Sequence, residues 1–197
     1  MLKQAVSRQP SRCPWCLSNT IYLDYHDMEW GVPVHEDRKQ FEFLVLESAQ
    51  AGLSWLTILK RREGYRRLYD NFDVKKVARY NEERIVMMLS DPGIIRNRKK
   101  IESSINNAQR FQEIQKEFGS FCNYLWGFVG NKQVVNHPHS FSEVQATTPL
   151  SDTISKDLKK RGFKFLGSTI IYAHLQATGL VNDHLTTCFR HQECIED

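Results

Sequence analysis

Between Asn97 and Phe118 the apolar residues Ile101, Ile105, Ala108, Phe111, Ile114 and Phe118 recur every three or four positions, with charged and amide side chains between them. That is the period of one helix face, and such a stripe has to be covered by other elements. The same period governs most of the chain. "DRKQFEFLVLESAQ" (37–50) opens on a polar cap and carries Phe41, Leu44, Val45 and Ser48 at helical spacing. Gly52 interrupts it, and a second helix is expected from about Ser54 to Tyr69. Shorter helices are expected at 73–79, 81–90 and 120–129, and Ser151–Arg161 and Ser168–Thr178 read as two more, joined by "GFKFLG". From Gly130 to Pro149 the periodicity lapses, and Asn136, Pro138 and Pro149 point to an irregular connection. Clear strand alternation is absent, so the expected fold class is all-α.

A chain of 197 residues can form one good-sized core or two small lobes with a shared interface. No apolar run approaches the roughly 20 residues of a membrane helix. The opening "MLKQAVSRQPSR" is basic and lacks the apolar stretch of a signal peptide, so it reads as a loose tail. The net charge of +4 permits a nucleic-acid partner without requiring one. Its placement says more: "KRREGYRR" (60–67), "RNRKK" (96–100) and "KDLKKRGFK" (156–164) are three basic runs near a glycine or a turn. Singly each is a solvated face; together they suggest a shared anion-binding surface.

The five cysteines, an odd number without a secretory signal, argue against a disulfide framework and fit a reducing, cytosolic setting. Metal-ligand residue types gather at the two ends: Cys13, Cys16 and His26, then His184, Cys188, His191 and Cys194. His184 and Cys188 are spaced to share a helix face and grip one ion. Neither group alone makes a closed four-ligand site, whereas the two together do. A redox role for "CPWC" (13–16) lacks the expected preceding strand, and the zinc deaminase signature is missing. Four protein ligands would leave no open position, so a bound zinc would be structural.

Glu47 closes the apolar "FEFLVL" (41–46) and stands beside Phe43 and Leu44 on the helical wheel. It is either a surface residue or a buried acid, and a buried acid needs a donor or a cation. Tyr25 and Trp30 flank His26 in "YHDMEWG", and Trp55 follows the glycine turn. Aromatic rings usually belong to a core, but rings with a carboxylate are also what a pocket for a planar cation contains.

"YHDMEWGVP" (25–33), "FEFLVLESAQAGLSW" (41–55), "LKKRGFKFLGSTIIYAHLQATGLVNDH" (158–184) and "TTC" (186–188) closely resemble the 3-methyladenine DNA glycosylase I family, from about Arg12 to Cys188. The resemblance implies a helix–hairpin–helix repair glycosylase. Such an enzyme hydrolyses the N-glycosidic bond of 3-methyladenine in alkylated double-stranded DNA and leaves an abasic site. The expected unit spans 12–190 in two helical lobes, with tails at 1–11 and 191–197 and the helix–hairpin–helix at about 151–179. The family's ligands to one structural zinc ion fall on Cys13, His26, His184 and Cys188, leaving Cys16 a bystander. Its pocket falls on Tyr25, Trp30, Glu47 and Trp55, with Glu47 the catalytic candidate. The turn Gln50-Ala51-Gly52-Leu53 matches the loop that enters DNA. Gly162 and Gly167 would bring backbone N–H groups to a phosphate, reinforced by Lys159, Lys160 and Lys164.

Many superfamily relatives carry a catalytic aspartate just after the hairpin's second helix. Asn182 takes that place here, and Asp183 is expected to support His184 or cap the next helix. No lysine stands out as a Schiff-base nucleophile, so a monofunctional glycosylase is expected, acting as a monomer in the cytoplasm. The competing readings are a non-catalytic, zinc-tied DNA-binding paralogue and a glycosylase for other alkylated purines such as 3-methylguanine. No role is expected for Cys122, His191 or Cys194.

Overall fold

The computed structural model describes residues 10–196. After a 3-10 turn at Pro14–Ser18, the first helix, α1 (Thr20–Met28), starts where the Asn19 side chain accepts the Ile21 N–H. Its period is too short and too mixed to announce itself, yet it places Tyr25 and His26 side by side. α2 (Asp37–Gln50) follows as expected, and it is buried on every side from Gln40 to Ala49. Asp37, expected to cap its own helix, instead accepts the Phe121 and Cys122 N–H groups and so caps a helix 84 residues away.

The single helix expected over 54–69 is two, α3 (Trp55–Leu59) and α4 (Arg62–Leu68). The backbone leaves the helical region at Arg61 (φ −105°, ψ 1°). The bend lets Arg62 bury its guanidinium against Glu29 and Glu42, at 2.6 and 2.7 Å. It also seats Gly64 on Gly93, where a Cβ would lie 2.1 Å from the Gly93 carbonyl oxygen. Neither partner is local, so no local sequence signal marks the break. α5 (Val74–Val77), α6 (Glu82–Ser90), α7 (Arg98–Phe118) and α8 (Phe121–Gly127) match the expected helices within a few residues.

The segment expected to be irregular contains β1 (Val134–Val135). α9 (Pro149–Lys160) begins at a Thr148/Ser151 capping box with proline in its first turn, and α10 (Ser168–Ala177) follows the hairpin. β2 (Val181–Asn182) pairs in parallel with β1, a two-residue ladder that periodicity cannot announce. α11 (Phe189–Glu193) ends the described chain. Residues expected as a C-terminal tail are packed instead: His191 and Cys194 are buried, and Gln133 donates to the Cys194 carbonyl. The rest of the expected N-terminal tail, residues 1–9, lies outside the described residues.

Two apolar clusters share α2. The larger joins Phe41, Leu44 and Leu46 to the α7 stripe and to α8, α9 and α10, with Phe111 stacked 4.1 Å from Phe121. Phe118 completes the predicted stripe but is 39% exposed, under the Arg161 guanidinium. The smaller cluster gathers Cys13, Tyr25, Trp30, Phe43, Leu185 and Cys188, and Trp55 packs against both. Among the described residues no helix is long and apolar enough to cross a membrane.

Candidate active site

A cavity of about 400 Å³ opens where α1, the end of α2, the start of α3 and one face of α10 converge. All four predicted pocket residues, Tyr25, Trp30, Glu47 and Trp55, line it. The rings form a cage: Tyr25 lies 5.6 Å from Trp55, and Trp30 lies 5.2 Å from Trp15 in an edge-on arrangement. Glu47 is a buried acid, 3% exposed. Burial alone pushes its pKa up to about 8, with no protein cation or donor offsetting it. Tyr25, also buried and facing Glu47, is held well above its ordinary value and stays a neutral hydroxyl. The indole N–H groups of Trp15 and Trp55 are buried without a protein partner. The cavity therefore offers flat rings and an acceptor with negative charge in prospect. A planar, cationic ring satisfies both.

Behind Trp30 stands the second feature. Cys13, His26, His184 and Cys188 are all buried, and their donor atoms lie within 4.8 Å of one another. His184 Nδ1 is 3.6 Å from both sulfurs, and His26 Nε2 is 3.4 Å from Cys188 Sγ. The outward ring nitrogens are fixed: His26 Nδ1 donates to Asp27 at 2.7 Å and His184 Nε2 to the Trp30 carbonyl at 2.9 Å. Asp27 is itself held by Arg12 at 2.8 Å. Each imidazole thus turns a lone pair toward the sulfurs. Cys13 is pushed up by its contact with Cys188, while Cys188 is pulled down by hydrogen bonds from Cys13, His184 and His26. The group could hold a metal ion. Gly31, at φ +81°, belongs to its design, since a Cβ there would lie 2.8 Å from His184 Nε2. Cys16 lies outside this group and donates to the Cys13 carbonyl.

Comparison with known proteins identifies the family. The family model for methyladenine glycosylase matches residues 15–191. The chain belongs to that family. It is 46% identical to DNA-3-methyladenine glycosylase 1 of Escherichia coli over 177 residues, 90% of this chain and 95% of the relative. The DNA-3-methyladenine glycosylase of Haemophilus influenzae is 44% identical, covering 90% of this chain and 96% of its own. A crystal structure of 3-methyladenine DNA glycosylase I superposes with TM-score 0.88 at 45% identity, covering 91% of this chain and 98% of that one. A Staphylococcus aureus 3-methyladenine DNA glycosylase I, solved to explain its 3-methyladenine recognition, gives TM-score 0.88 at 38% identity, covering 90% and 95%.

Within this methyladenine glycosylase fold the remaining predicted residues fall into two surfaces. In the turn after α2, Gly52 takes φ +81°, Leu53 is 40% exposed at the tip, and Gln50 reaches back into the cavity wall. Lys100, from the basic run 96–100, donates to the Ala49 and Ala51 carbonyls at 2.7 and 2.8 Å. One member of that run is therefore a clamp on the turn. In the hairpin, Lys159, Lys160 and Lys164 are exposed as expected. The Gly162 amide, expected to face a phosphate, is already donated to the Lys159 carbonyl, and the Lys164 amide to Asn107 Oδ1. Asn106 and Asn107 on α7 also donate to the Gly162 and Lys164 carbonyls, both at 2.9 Å. Gly167 is the N-cap of α10, so the amides opening that helix are the ones left to meet an anion.

Asp183 departs from expectation. Its carboxylate neither touches His184 nor caps α11, but accepts from Tyr172, Gln176 and Asn136 at 2.6 to 2.7 Å. Asn182 does the supporting, accepting the His184 N–H and donating to the His191 carbonyl. Trp15, Tyr22, Phe141, Ala173 and Gln176 complete the cavity and escaped the sequence reading. Trp15 sits inside "CPWC", where the cysteines drew the attention; the others stand in no motif that spacing distinguishes.

Proposed function

We propose that this chain extracts 3-methyladenine from alkylated double-stranded DNA and hydrolyses its N-glycosidic bond, releasing the base and leaving an abasic site. The observation that carries this reading is Glu47: a buried carboxyl with no protein partner, inside an aromatic cage, on the fold of a glycosylase family. A lone buried acid is costly, and a cationic ligand removes that cost.

A base methylated at N3 is cationic in DNA. When its bond to C1′ breaks, the electron pair moves to the base, the base becomes neutral, and positive charge develops on the sugar. Water adds at C1′ and loses its proton to solvent. Little is asked of a strong nucleophile, so extraction and recognition dominate. The rings of Trp15, Trp30, Trp55 and Tyr25 attract the cation by about 2 kcal/mol when desolvated, a term neutral adenine lacks. Glu47, ionised opposite the cation, accepts a hydrogen bond from the exocyclic amine. Leu53 would fill the gap left in the stack, Gln50 would reach the same gap, and the first amides of α10 with Lys159, Lys160 and Lys164 would hold the backbone.

Cys13, His26, His184 and Cys188 would bind one structural zinc ion. Tetrahedral bonds of about 2.3 Å to sulfur and 2.0–2.1 Å to nitrogen separate sulfur from nitrogen by about 3.6 Å, which matches the donor spacing. The ion would supply charge neutralisation that ties the chain ends together. We place the enzyme in the cytoplasm as a monomer. Incubation with N-methylated duplex DNA should liberate free 3-methyladenine, read by chromatography. Duplex binding without any released base would favour the non-catalytic paralogue.

A further inference from the structure

Asp183 is buried, carries three donors, and takes no part in the chemistry described so far. One of its donors, Gln176 Nε2 at 2.7 Å, belongs to a side chain in the wall of the base cavity. A carboxylate only accepts, so the amide nitrogen of Gln176 must face it, and its oxygen is turned away. The choice between the two amide orientations is thus set by Asp183. Tyr172, one turn earlier on α10, and Asn136, just after β1, also hold that carboxylate, so it cannot follow a rotation of Gln176.

We propose that Gln176 is a specificity-determining residue: its Oε1, aimed into the cavity by the Asp183 clamp, accepts the second N–H of the base's exocyclic amine. This deepens the base-pocket reading and rests on it. An amine presents two N–H groups, and Glu47 satisfies one. A base bearing a carbonyl at the same ring position would face two acceptors and be refused.

The test titrates intrinsic tryptophan fluorescence with two free probes, 3-methyladenine and 3-methylpurine, which differ only in the amine. Wild type should bind 3-methyladenine more tightly. Q176M removes the acceptor, and D183N places an N–H where the carboxylate oxygen stood, letting the Gln176 amide turn over. Each should shrink the preference about tenfold, the size of one hydrogen bond to a partly buried group, while 3-methylpurine binding stays within about twofold. A purely structural role would weaken both probes together and overturn the proposal, as would an unchanged preference in Q176M. Should D183N fail to fold, Q176M decides alone. Wild type binding neither probe would overturn the base-pocket reading, and this inference with it.

Discussion

The two apolar clusters on either side of α2 are built on different principles. The larger is closed by periodic side chains from α2, α7, α8, α9 and α10, meeting ring on ring and aliphatic on aliphatic. The smaller has few aliphatic residues. It is made of rings, thiols and imidazoles brought from both ends of the chain, and its contacts are fixed by hydrogen bonds to Asp27 and the Trp30 carbonyl. A core of the first kind is redundant, whereas the second has single points of failure. The proposed function sits in the second, because a cavity for a cation needs walls that do not close on it.

Removing the clasp should show the largest effect. If the proposed zinc is bound, chelation at pH 7, or His184→Ala, is expected to cost several kcal/mol, given the large folding contribution of structural zinc, and to abolish base binding. By contrast Phe111→Ala should cost about 3–5 kcal/mol and leave kcat/KM of the folded fraction within about twofold. Thermal melts paired with base-release assays separate the two. If Phe111→Ala lost activity in proportion to stability, the clusters would not be independent.

Glu47→Gln should come next, lowering kcat/KM by about 10²–10³ as a preorganised charge is removed. Its effect on stability has the opposite sign. The pKa is raised by burial from 4.5 to about 8. Between those values the folded state holds a proton that the unfolded state has lost. Wild-type stability should therefore fall as pH rises through that window, and Glu47→Gln should flatten the slope, at roughly 1.4 kcal/mol per unit of pKa difference. Activity of the free enzyme should rise over the same window as the carboxylate forms. Denaturant melts at pH 5, 7 and about 9 test the linkage; parallel profiles for both proteins would contradict it.

The smallest effect belongs to Lys100→Met, which frees the Ala49 and Ala51 carbonyls from their clamp. Activity on duplex DNA should fall about 5- to 10-fold, the size of a charge-assisted hydrogen bond, with free 3-methyladenine binding unchanged. Equal losses in both assays would mean that the clamp supports the cavity and not the turn.

The same contrast explains what the sequence disclosed. α7 and the larger cluster were legible because their residues repeat at a physical period. The two metal-ligand groups were legible by residue type, and were joined because neither closes a site alone; selecting Cys13, His26, His184 and Cys188 from them depended on family resemblance, since 171 positions separate Cys13 from His184. The bend at Arg61 and the capping of α8 by Asp37 were hidden because their causes are long-range. Gln176 was hidden differently: it is held by a carboxylate that was expected to support His184 or cap the next helix.

α7 holds both parts proposed to face DNA. Lys100 grips the turn bearing Leu53, and six positions on, Asn106 and then Asn107 grip the hairpin. Six residues of helix span about 9 Å with no freedom of twist. In the proposed complex, the distance from the backbone grip to the gap in the stack is therefore a length of helix, not a loop conformation. One residue inserted between Lys100 and Asn106 would swing the two anchors about 100° apart around the axis. In that complex α7 would be the gauge that holds the damaged nucleotide in register with the cavity.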